Sequence, residues 1–175
     1  FYRHKIYGKD HFHIGEKERL VTELLPAGER LKVLDVGCGP GRLLAHLASL
    51  GHDAQGIDIR EASCLEAESR GLNVKQGAVE DLPNFRLGDE SFDVILFLDV
   101  LEHTFNPESV VKLALPLLKD GGTIIVCVPN IASVIGRATL LSGKWPLDEA
   151  GLFDCSHLRC FTLENLQTHF GEIAT

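Results

Sequence analysis

Aromatic residues and long apolar segments are both scarce in this sequence. Continuous apolar segments, such as residues 94–98, have the length of a β-strand, whereas a membrane-crossing helix needs about 20 apolar residues. Aromatic side chains make up only 7% of the 175 residues and include a single tryptophan. The sequence therefore predicts no membrane span, and it offers no series of aromatic rings on which nucleic-acid bases would stack.

Positive charge is also in deficit. The formal net charge is −8, and an acidic surface repels the phosphate backbone of DNA or RNA. We therefore expect no nucleic-acid partner, and no pattern in the sequence specifies an oligomeric state.

Cysteine is present, but without the pattern of a disulfide framework. The cysteines are odd in number and scattered along the chain, at Cys38, Cys64, Cys127, Cys155 and Cys160. This distribution is typical of reduced thiols, and we expect a cytoplasmic protein.

What the sequence does contain is an alternation of short apolar segments with amphipathic ones. The apolar segments predict five strands, at residues 31–36, 54–59, 73–76, 92–98 and 123–128. The amphipathic segments predict helices at residues 16–25, 42–50, 61–70, 106–119, 131–141 and 163–170, and Pro116 is expected to kink the fourth or end its regular part early. Strands that alternate with helices predict an α/β fold with a parallel sheet.

The most informative segment is VLDVGCGPGR, at residues 33–42. Its glycines, Gly37, Gly39 and Gly41, lie between a predicted strand and a predicted helix. Glycine lets the backbone turn sharply and approach a ligand closely, and the helix directs its free N–H groups at the same place. This segment therefore predicts a ligand-binding loop.

Two carboxylates accompany the loop. Asp58 ends the second predicted strand, where it can accept hydrogen bonds from both hydroxyls of a ribose. Asp35 stands two residues before the first glycine, where it suits an ammonium group and would repel a pyrophosphate. A nicotinamide-binding fingerprint also needs a glycine at the position of Arg42. A nicotinamide-dependent oxidoreductase is therefore the second interpretation of this site.

Together these residues resemble the class I S-adenosylmethionine-dependent methyltransferases. VLDVGCGPG resembles the first motif of that family, and GIDI, at residues 56–59, resembles its acidic second motif. SFDVILFLDVLEH and LLKDGGTIIVCVPN, at residues 91–103 and 117–130, are similar to the branch that includes the ubiquinone-biosynthesis O-methyltransferases. GLFDCSHLRCFT, at residues 151–162, resembles a D-x-x-H-x-R-x-F-T stretch of the same branch.

The resemblance implies a fold and a ligand. The fold is a Rossmann-like doubly wound sheet in the order 3-2-1-4-5 with helices on both faces, and the ligand is S-adenosyl-L-methionine, which leaves as S-adenosyl-L-homocysteine. It also implies an antiparallel strand pair after the last helix, which we expect to lie outside these residues. Within a single domain at 1–175, we expect an N-terminal helical lid at 1–30, a cofactor-binding core at 31–130, a substrate lid at 131–162 and the start of a C-terminal part at 163–175.

The resemblance further implies a role for each residue of the site. The residues expected to contact the cofactor are Asp35, Gly37, Cys38, Gly39, Gly41, Asp58, Ile59, Ala78, Val79, Glu80 and Leu98. Of these, Asp35 and the first glycines would surround the methionine moiety, Asp58 would bind the ribose, and Ile59 would pack on the adenine. Many relatives have an aspartate in place of Ala78, so the adenine amino group needs another acceptor here.

Two histidines are candidates for a catalytic base. His103 follows the fourth predicted strand, at the edge where open α/β sheets bind ligands, and His157 lies in the predicted substrate lid. Imidazole titrates near pH 6.5, which suits proton removal from an acidic hydroxyl. The structural alternatives are that His103 packs at the start of a helix and that His157 orders its own loop.

We expect no metal in this site. Asp99, Glu102 and His103 would share a face if their segment were helical, and such a face is the alternative metal site. Cys155, His157 and Cys160 lack a fourth ligand for zinc.

The sequence thus predicts an S-adenosylmethionine-dependent methyltransferase that acts on a small molecule, with transfer to oxygen as the expected reaction. A third interpretation is a non-catalytic domain that binds S-adenosylmethionine. The aromatic and histidine side chains of the N-terminal segment (Tyr2, Tyr7, His11, Phe12, His13) are expected to help define the acceptor.

Overall fold

A five-stranded sheet organises the protein. The computed structural model describes residues 15–27, 30–87 and 91–171, so the five N-terminal aromatic and histidine residues named above lie outside the described part. The strands are β1 (Lys32–Val36), β2 (Asp53–Asp58), β3 (Asn73–Gln76), β4 (Phe92–Leu98) and β5 (Leu118–Cys127). Their spatial order is β3-β2-β1-β4-β5, and β1 pairs in parallel with both β2 and β4, as β2 does with β3. The predicted doubly wound α/β fold and its strand order are confirmed.

In the described residues, six helices connect or flank the strands. They are α1 (Glu16–Leu24), α2 (Arg42–Ser49), α3 (Glu61–Ser69), α4 (Pro107–Ala114), α5 (Val134–Leu141) and α6 (Leu163–Phe170). Short 3₁₀ turns cover Val79–Asn84, Leu101–His103 and Leu115–Leu117. Within the described ranges, no helix combines the length and the apolar character that a membrane crossing requires.

Three predicted boundaries differ from the observed ones by several residues. The fourth helix, predicted to reach residue 119 with its regular part disturbed by Pro116, ends at Ala114, because Pro116 lies within the 3₁₀ turn that follows and cannot donate a backbone hydrogen bond. The fifth strand begins at Leu118 rather than at 123, and it contains Gly121 with φ of 72°. The helix predicted from residue 131 begins instead at Val134, because the Ser133 hydroxyl accepts a hydrogen bond from the amide of Gly136 and caps it.

The chain divides into two compact units. The first comprises the described residues of 10–98 together with 113–126, and it contains α1 to α3 and nearly all of the sheet. The second comprises 99–112 and the described residues of 127–175, with α5 and α6. The division into lids and core expected from the resemblance stays a prediction.

The core of the first unit consists of strand side chains covered by helices. Residues 94–97 of β4 are completely buried, as expected for a strand with both faces covered. Side chains from α1 and α2 pack with β1 and β4 in one apolar cluster, against which Leu98 packs half-buried. A second cluster joins α2 and α3 to β3. This packing holds the carboxyl ends of β1 and β2 in place, where the glycine loop and Asp58 lie.

Candidate functional site

The glycine loop joins β1 to α2 and has a backbone that only glycine adopts without strain. Gly37, Gly39 and Gly41 have φ angles of 80°, 56° and 79°, all in the left-handed region. The amides of Gly37 and Cys38 both donate hydrogen bonds to the carbonyl of Ile57, at 2.7 and 3.0 Å. The loop is therefore built on the end of β2 as well as on β1.

Close packing around the loop involves Gly41 again and one further glycine, Gly56. A Cβ at Gly41 would lie 2.5 Å from Cδ1 of Leu72, and one at Gly56 would lie 2.5 Å from Sγ of Cys38. At Gly56 an added Cβ would also lie 2.9 Å from the Cβ of Cys38, so the close approach of strand and loop needs glycine there, and at Gly41 the φ of 79° needs it as well. Cys38 itself is buried, and burial raises the pKa of its thiol far above the ordinary range. It is thus a packing residue of the loop and not a nucleophile.

Asp58 ties the loop to the end of β2. Its Oδ2 atom accepts a hydrogen bond from the amide of Gly39 at 2.8 Å, and its Oδ1 atom accepts from the amide and from Nε of Arg60, at 2.8 and 3.3 Å. The residue is 5% exposed. A carboxylate offers about four lone-pair positions, so these three bonds leave about one acceptor position for a hydroxyl of a ligand.

Asp35 is a second buried carboxylate, in β1 and two residues before the loop. Burial raises the pKa of its carboxyl to about 7. Lys17 opposes this rise, whereas the negative charges of Asp58 and Glu18 add to it. A cation bound beside Asp35 would favour the ionised form, so the group is suited to an ammonium partner.

The predicted adenine-contacting residues follow the ends of β2 and β3. Asp58 pairs with Gln76 in the sheet, and the next residue, Gly77, donates a hydrogen bond to the carbonyl of Asp58 at 3.0 Å. The turn that contains Ala78, Val79 and Glu80 therefore begins level with Asp58. Ala78 and Val79 are half-buried and Glu80 is exposed. Beyond Asp58 in the chain, Ile59 is 67% exposed, which leaves its side chain available for a ligand.

Sequence reasoning missed the contribution of α1. Glu18 is 5% exposed and forms a hydrogen-bonded ion pair with Arg42, the first residue of α2 after the glycine loop. Burial alone would raise the pKa of Glu18, but a backbone hydrogen bond and the Arg42 guanidinium together lower it. Arg42, directly after the glycines, was the signal in the sequence that could have indicated an acidic partner such as Glu18.

In the second unit, His103 ends the 3₁₀ turn Leu101–His103. The helical face predicted for Asp99, Glu102 and His103 is not formed, because Asp99 has a left-handed φ of 55° and precedes the turn. Glu102 is fully buried, whereas His103 is exposed. The alternative metal site with this set of ligands on one helix was therefore wrong in its geometry.

The two candidate histidines lie side by side. The ring centroids of His103 and His157 are 4.9 Å apart in an edge-to-face arrangement. Nε2 of His157 lies 3.9 Å from Oε1 of Glu102. Burial lowers the pKa of His157, and the neighbouring His103 lowers it further, so His157 is neutral at pH 7.

Glu102, His103 and His157 form a group that could hold a metal ion. One ligand atom from each lies within 4.8 Å of the others. The group contains His157 in place of Asp99, which the sequence had suggested as the third ligand. Cys155 and Cys160 are exposed and are not part of the group. The expectation that this site binds no metal stays a prediction.

The stretch similar to D-x-x-H-x-R-x-F-T packs around the turn that carries His103. The amides of Leu158 and Arg159 both donate to the carbonyl of Glu102, at 2.8 and 3.1 Å. The Arg159 guanidinium donates to the carbonyl of Phe105 at 2.6 Å. Phe161 is buried. The stretch thus stabilises the turn through hydrogen bonds to its backbone carbonyls. The sequence alone did not indicate these contacts.

The fold and the first unit's site define a class. A doubly wound sheet with a glycine loop after β1 and a carboxylate at the end of β2 is the arrangement that binds nucleoside-containing ligands. A methyltransferase domain model matches residues 9–172, and the chain belongs to that family. The methyltransferase family assigned from the motifs is confirmed. The second interpretation, a nicotinamide-dependent oxidoreductase, is not supported.

Relatives of known name agree with this assignment. Ubiquinone biosynthesis O-methyltransferases from Maricaulis maris and Nitrosococcus oceani are 32% and 42% identical over 67% and 59% of this chain. The matches cover 48% and 45% of those proteins, so the chain spans about half the length of the curated relatives it matches. A solved structure from Thermotoga maritima, described as an S-adenosylmethionine-dependent methyltransferase and possible histamine N-methyltransferase, is 29% identical with a TM-score of 0.68. That alignment covers 89% of this chain and 68% of the other.

Proposed function

We propose that this protein transfers the methyl group of S-adenosylmethionine to an oxygen atom of a small molecule. The observation that carries the proposal is the hydrogen bond from the Gly39 amide to Asp58, within a loop of three left-handed glycines beside the buried Asp35. The family match and the names of the relatives support the same reaction class.

The residues of the first unit fit the proposed ligand. Its amino-acid end carries an ammonium group, and Asp35 is a buried carboxylate whose ionised form such a cation would stabilise. Its ribose carries hydroxyl donors, and Asp58 retains about one acceptor position after accepting from the Gly39 amide and from the amide and Nε of Arg60. The left-handed glycines let the loop backbone approach a ligand without side chains in between. We assign the adenine to the surface formed by Ile59 and the turn at 78–80.

Proton removal is the one chemical task that the proposed reaction leaves to a side chain. When bound, S-adenosylmethionine supplies a methyl group already activated by a sulfonium. The acceptor hydroxyl must lose its proton as its oxygen attacks, and a positioned base accelerates that step. We assign this proton to Nε2 of His103, which is exposed and adjoins the neutral His157. We keep His157 as the second candidate base.

The acceptor is proposed by class only. The curated relatives are named for ubiquinone biosynthesis, and the Thermotoga protein for histamine, which carries its reactive groups on nitrogen. Oxygen is favoured because the O-methyltransferases are the relatives with the higher identity. The stretch at 131–162 is our candidate for the segment that selects the acceptor.

Calorimetry tests the cofactor first. The protein should bind S-adenosylhomocysteine and not NADH, and binding of NADH alone would sink the proposal. Turnover is then measured by transfer of radiolabelled methyl groups to phenolic, quinone-precursor, sugar and lipid-like hydroxyl compounds. Binding of the nucleoside without turnover on any acceptor would favour a non-catalytic binding domain.

A further inference from the structure

We propose that Ser156 and Asp154 are positioning residues that hold His103 with its proton on Nδ1, so that Nε2 presents the basic lone pair. The inference rests on the proposed function for its catalytic meaning, but its geometry is independent of any substrate. It assigns a role to two residues of the stretch at 151–162 that the motif left without one.

The first step is the pair of acceptors around Nδ1 of His103. This nitrogen lies 3.2 Å from the backbone carbonyl oxygen of Ser156 and 3.1 Å from its Oγ atom. A carbonyl oxygen can only accept a hydrogen bond. Nδ1 must therefore be the donor in that contact and carry the proton.

The second step is the direction of the Ser156 hydroxyl. Its Oγ atom donates to Oδ1 of Asp154 at 2.7 Å, and a hydroxyl has only one proton to give. Toward His103 the hydroxyl oxygen is consequently an acceptor, like the carbonyl. Both groups of Ser156 thus select the same tautomer of His103, and Asp154 determines which way the hydroxyl points.

The third step is the rigidity of Asp154. The residue is buried at 9% exposure, and its Oδ1 also accepts from the amide of Ser156 at 2.8 Å. One carboxylate oxygen therefore orients both the backbone and the side chain of Ser156. The ring of His157 packs edge-to-face against that of His103 and limits its rotation. In a neutral imidazole, a proton fixed on Nδ1 leaves Nε2 as the only base.

The tautomer can be read directly by long-range ¹H–¹⁵N correlation spectra of ¹⁵N-histidine-labelled protein. A His103→Ala spectrum assigns the signal among the eight histidines. We expect the neutral ring of His103 to carry its proton on Nδ1. In Ser156→Ala the hydroxyl acceptor is gone, so the population should move toward the Nε2–H form that histidine prefers in water. Turnover should fall about tenfold, in kcat rather than KM.

Two matched comparisons separate positioning from general destabilisation. Ser156→Thr keeps the hydroxyl and Ser156→Val replaces it with a methyl group of the same shape, so only Thr should retain the tautomer and the rate. Ser69→Ala is the control, since its exposed hydroxyl also makes a 2.7 Å bond, to the carbonyl of Glu66. It should change neither readout.

The outcomes divide cleanly. An Nε2–H tautomer in the wild-type protein, or Ser156→Ala and Ser156→Val with unchanged tautomer and kcat, overturns the proposal. A tautomer shift in Ser156→Ala and Ser156→Val with retention in Ser156→Thr supports it even if no acceptor is ever methylated. In that last case the proposed function fails and the positioning of His103 stands.

Discussion

The carboxylate of Asp58 and the amide of Gly39 are joined by a 2.8 Å hydrogen bond that connects the end of β2 to the middle of the glycine loop. Gly39 has a φ of 56°, so the loop needs a partner that holds this left-handed conformation. The same carboxylate is our candidate for the ribose-binding group. One side chain therefore shapes the loop and contacts the ligand that the loop is proposed to bind.

Replacing Asp58 with alanine should weaken binding of S-adenosylhomocysteine by about 1 to 3 kcal/mol, because hydrogen bonds to a charged acceptor are lost. Asp58→Asn keeps one oxygen acceptor, so its affinity for S-adenosylhomocysteine should lie between those of the wild-type protein and Asp58→Ala. Isothermal titration calorimetry measures both. Asp53→Ala is the matched control, since Asp53 is exposed at the other end of β2. Equal affinities for Asp58→Ala and the control would remove Asp58 from the ligand site.

Cofactor binding should depend on the ionisation of Asp35. Its pKa of about 7 means that the group is largely neutral at pH 5.5 and largely ionised at pH 7.5. Because an ammonium ligand needs the ionised form, affinity for S-adenosylhomocysteine should rise roughly tenfold or more over this range. Asp35→Asn should bind more weakly and without this pH dependence. A wild-type affinity that is flat from pH 5.5 to 7.5 would contradict the assignment.

The same carboxyl should cost stability in the ligand-free protein. The pKa of Asp35 is raised in the folded state, so the folded protein holds a proton that the unfolded chain releases. This destabilisation is full above pH 7, shrinks as the pH falls, and is absent below the ordinary value of 3.8. Asp35→Asn should therefore raise the melting temperature of the ligand-free protein at pH 8, by about 2 to 4 °C for each kcal/mol gained. A lower melting temperature at pH 8 would be the contrary result.

The ion pair between Glu18 and Arg42 should stabilise the attachment of α1. Glu18 is buried but Arg42 is 36% exposed in its side chain, so we expect a coupling of about 1 to 3 kcal/mol, below that of a fully buried pair. A double-mutant cycle with Glu18→Ala and Arg42→Ala, followed by urea denaturation, measures it. The pKa of Glu18 is lowered, so the stabilisation should be present at pH 7 and be lost as the pH falls through the carboxyl range.

The control for that cycle is the pair formed by Glu66 and Arg70, four residues apart on α3 and beyond its end, with Glu66 39% exposed in its side chain. Surface pairs of this kind contribute at most about 1 kcal/mol. A Glu18–Arg42 coupling no larger than the Glu66–Arg70 coupling would show that the pair does not hold α1.

Periodicity and glycine spacing were enough to predict the sheet and the loop. β3, β4 and α6 have the predicted bounds, because apolar segments closed by glycine or by a capping residue leave little choice of register. Asp35 was identified by its position just before the glycines and Asp58 by its position at the end of the second strand, and both are buried. These features depend on contacts that are close in sequence or fixed by parallel pairing.

The surroundings of His103 were not predictable in the same way. His103 contacts Ser156 and His157, which lie about fifty residues later in the chain. Residues 99–103 also do not form the predicted helix, because Asp99 has a left-handed φ and Leu101–His103 form a 3₁₀ turn. Helical spacing therefore grouped Asp99 with Glu102 and His103, whereas the fold places His157 next to Glu102 and His103. Long-range packing of an irregular segment leaves no periodic signal in the sequence.

His103→Ala is the decisive test of the chemical step. If Nε2 of His103 accepts the proton of the acceptor hydroxyl, the substitution should lower kcat by about 10² to 10⁴. Affinity for S-adenosylhomocysteine should change little, since His103 is assigned no contact with it. His46→Ala, on α2 in the other unit, is the control and should retain full turnover. If His103→Ala keeps normal kcat, His157 becomes the candidate base.

The assay is run before and after treatment with a chelator, because Glu102, His103 and His157 could together hold an ion. We expect chelation to leave turnover unchanged, whereas a loss that added Mg²⁺ or Zn²⁺ restores would assign His103 to metal binding in place of proton transfer.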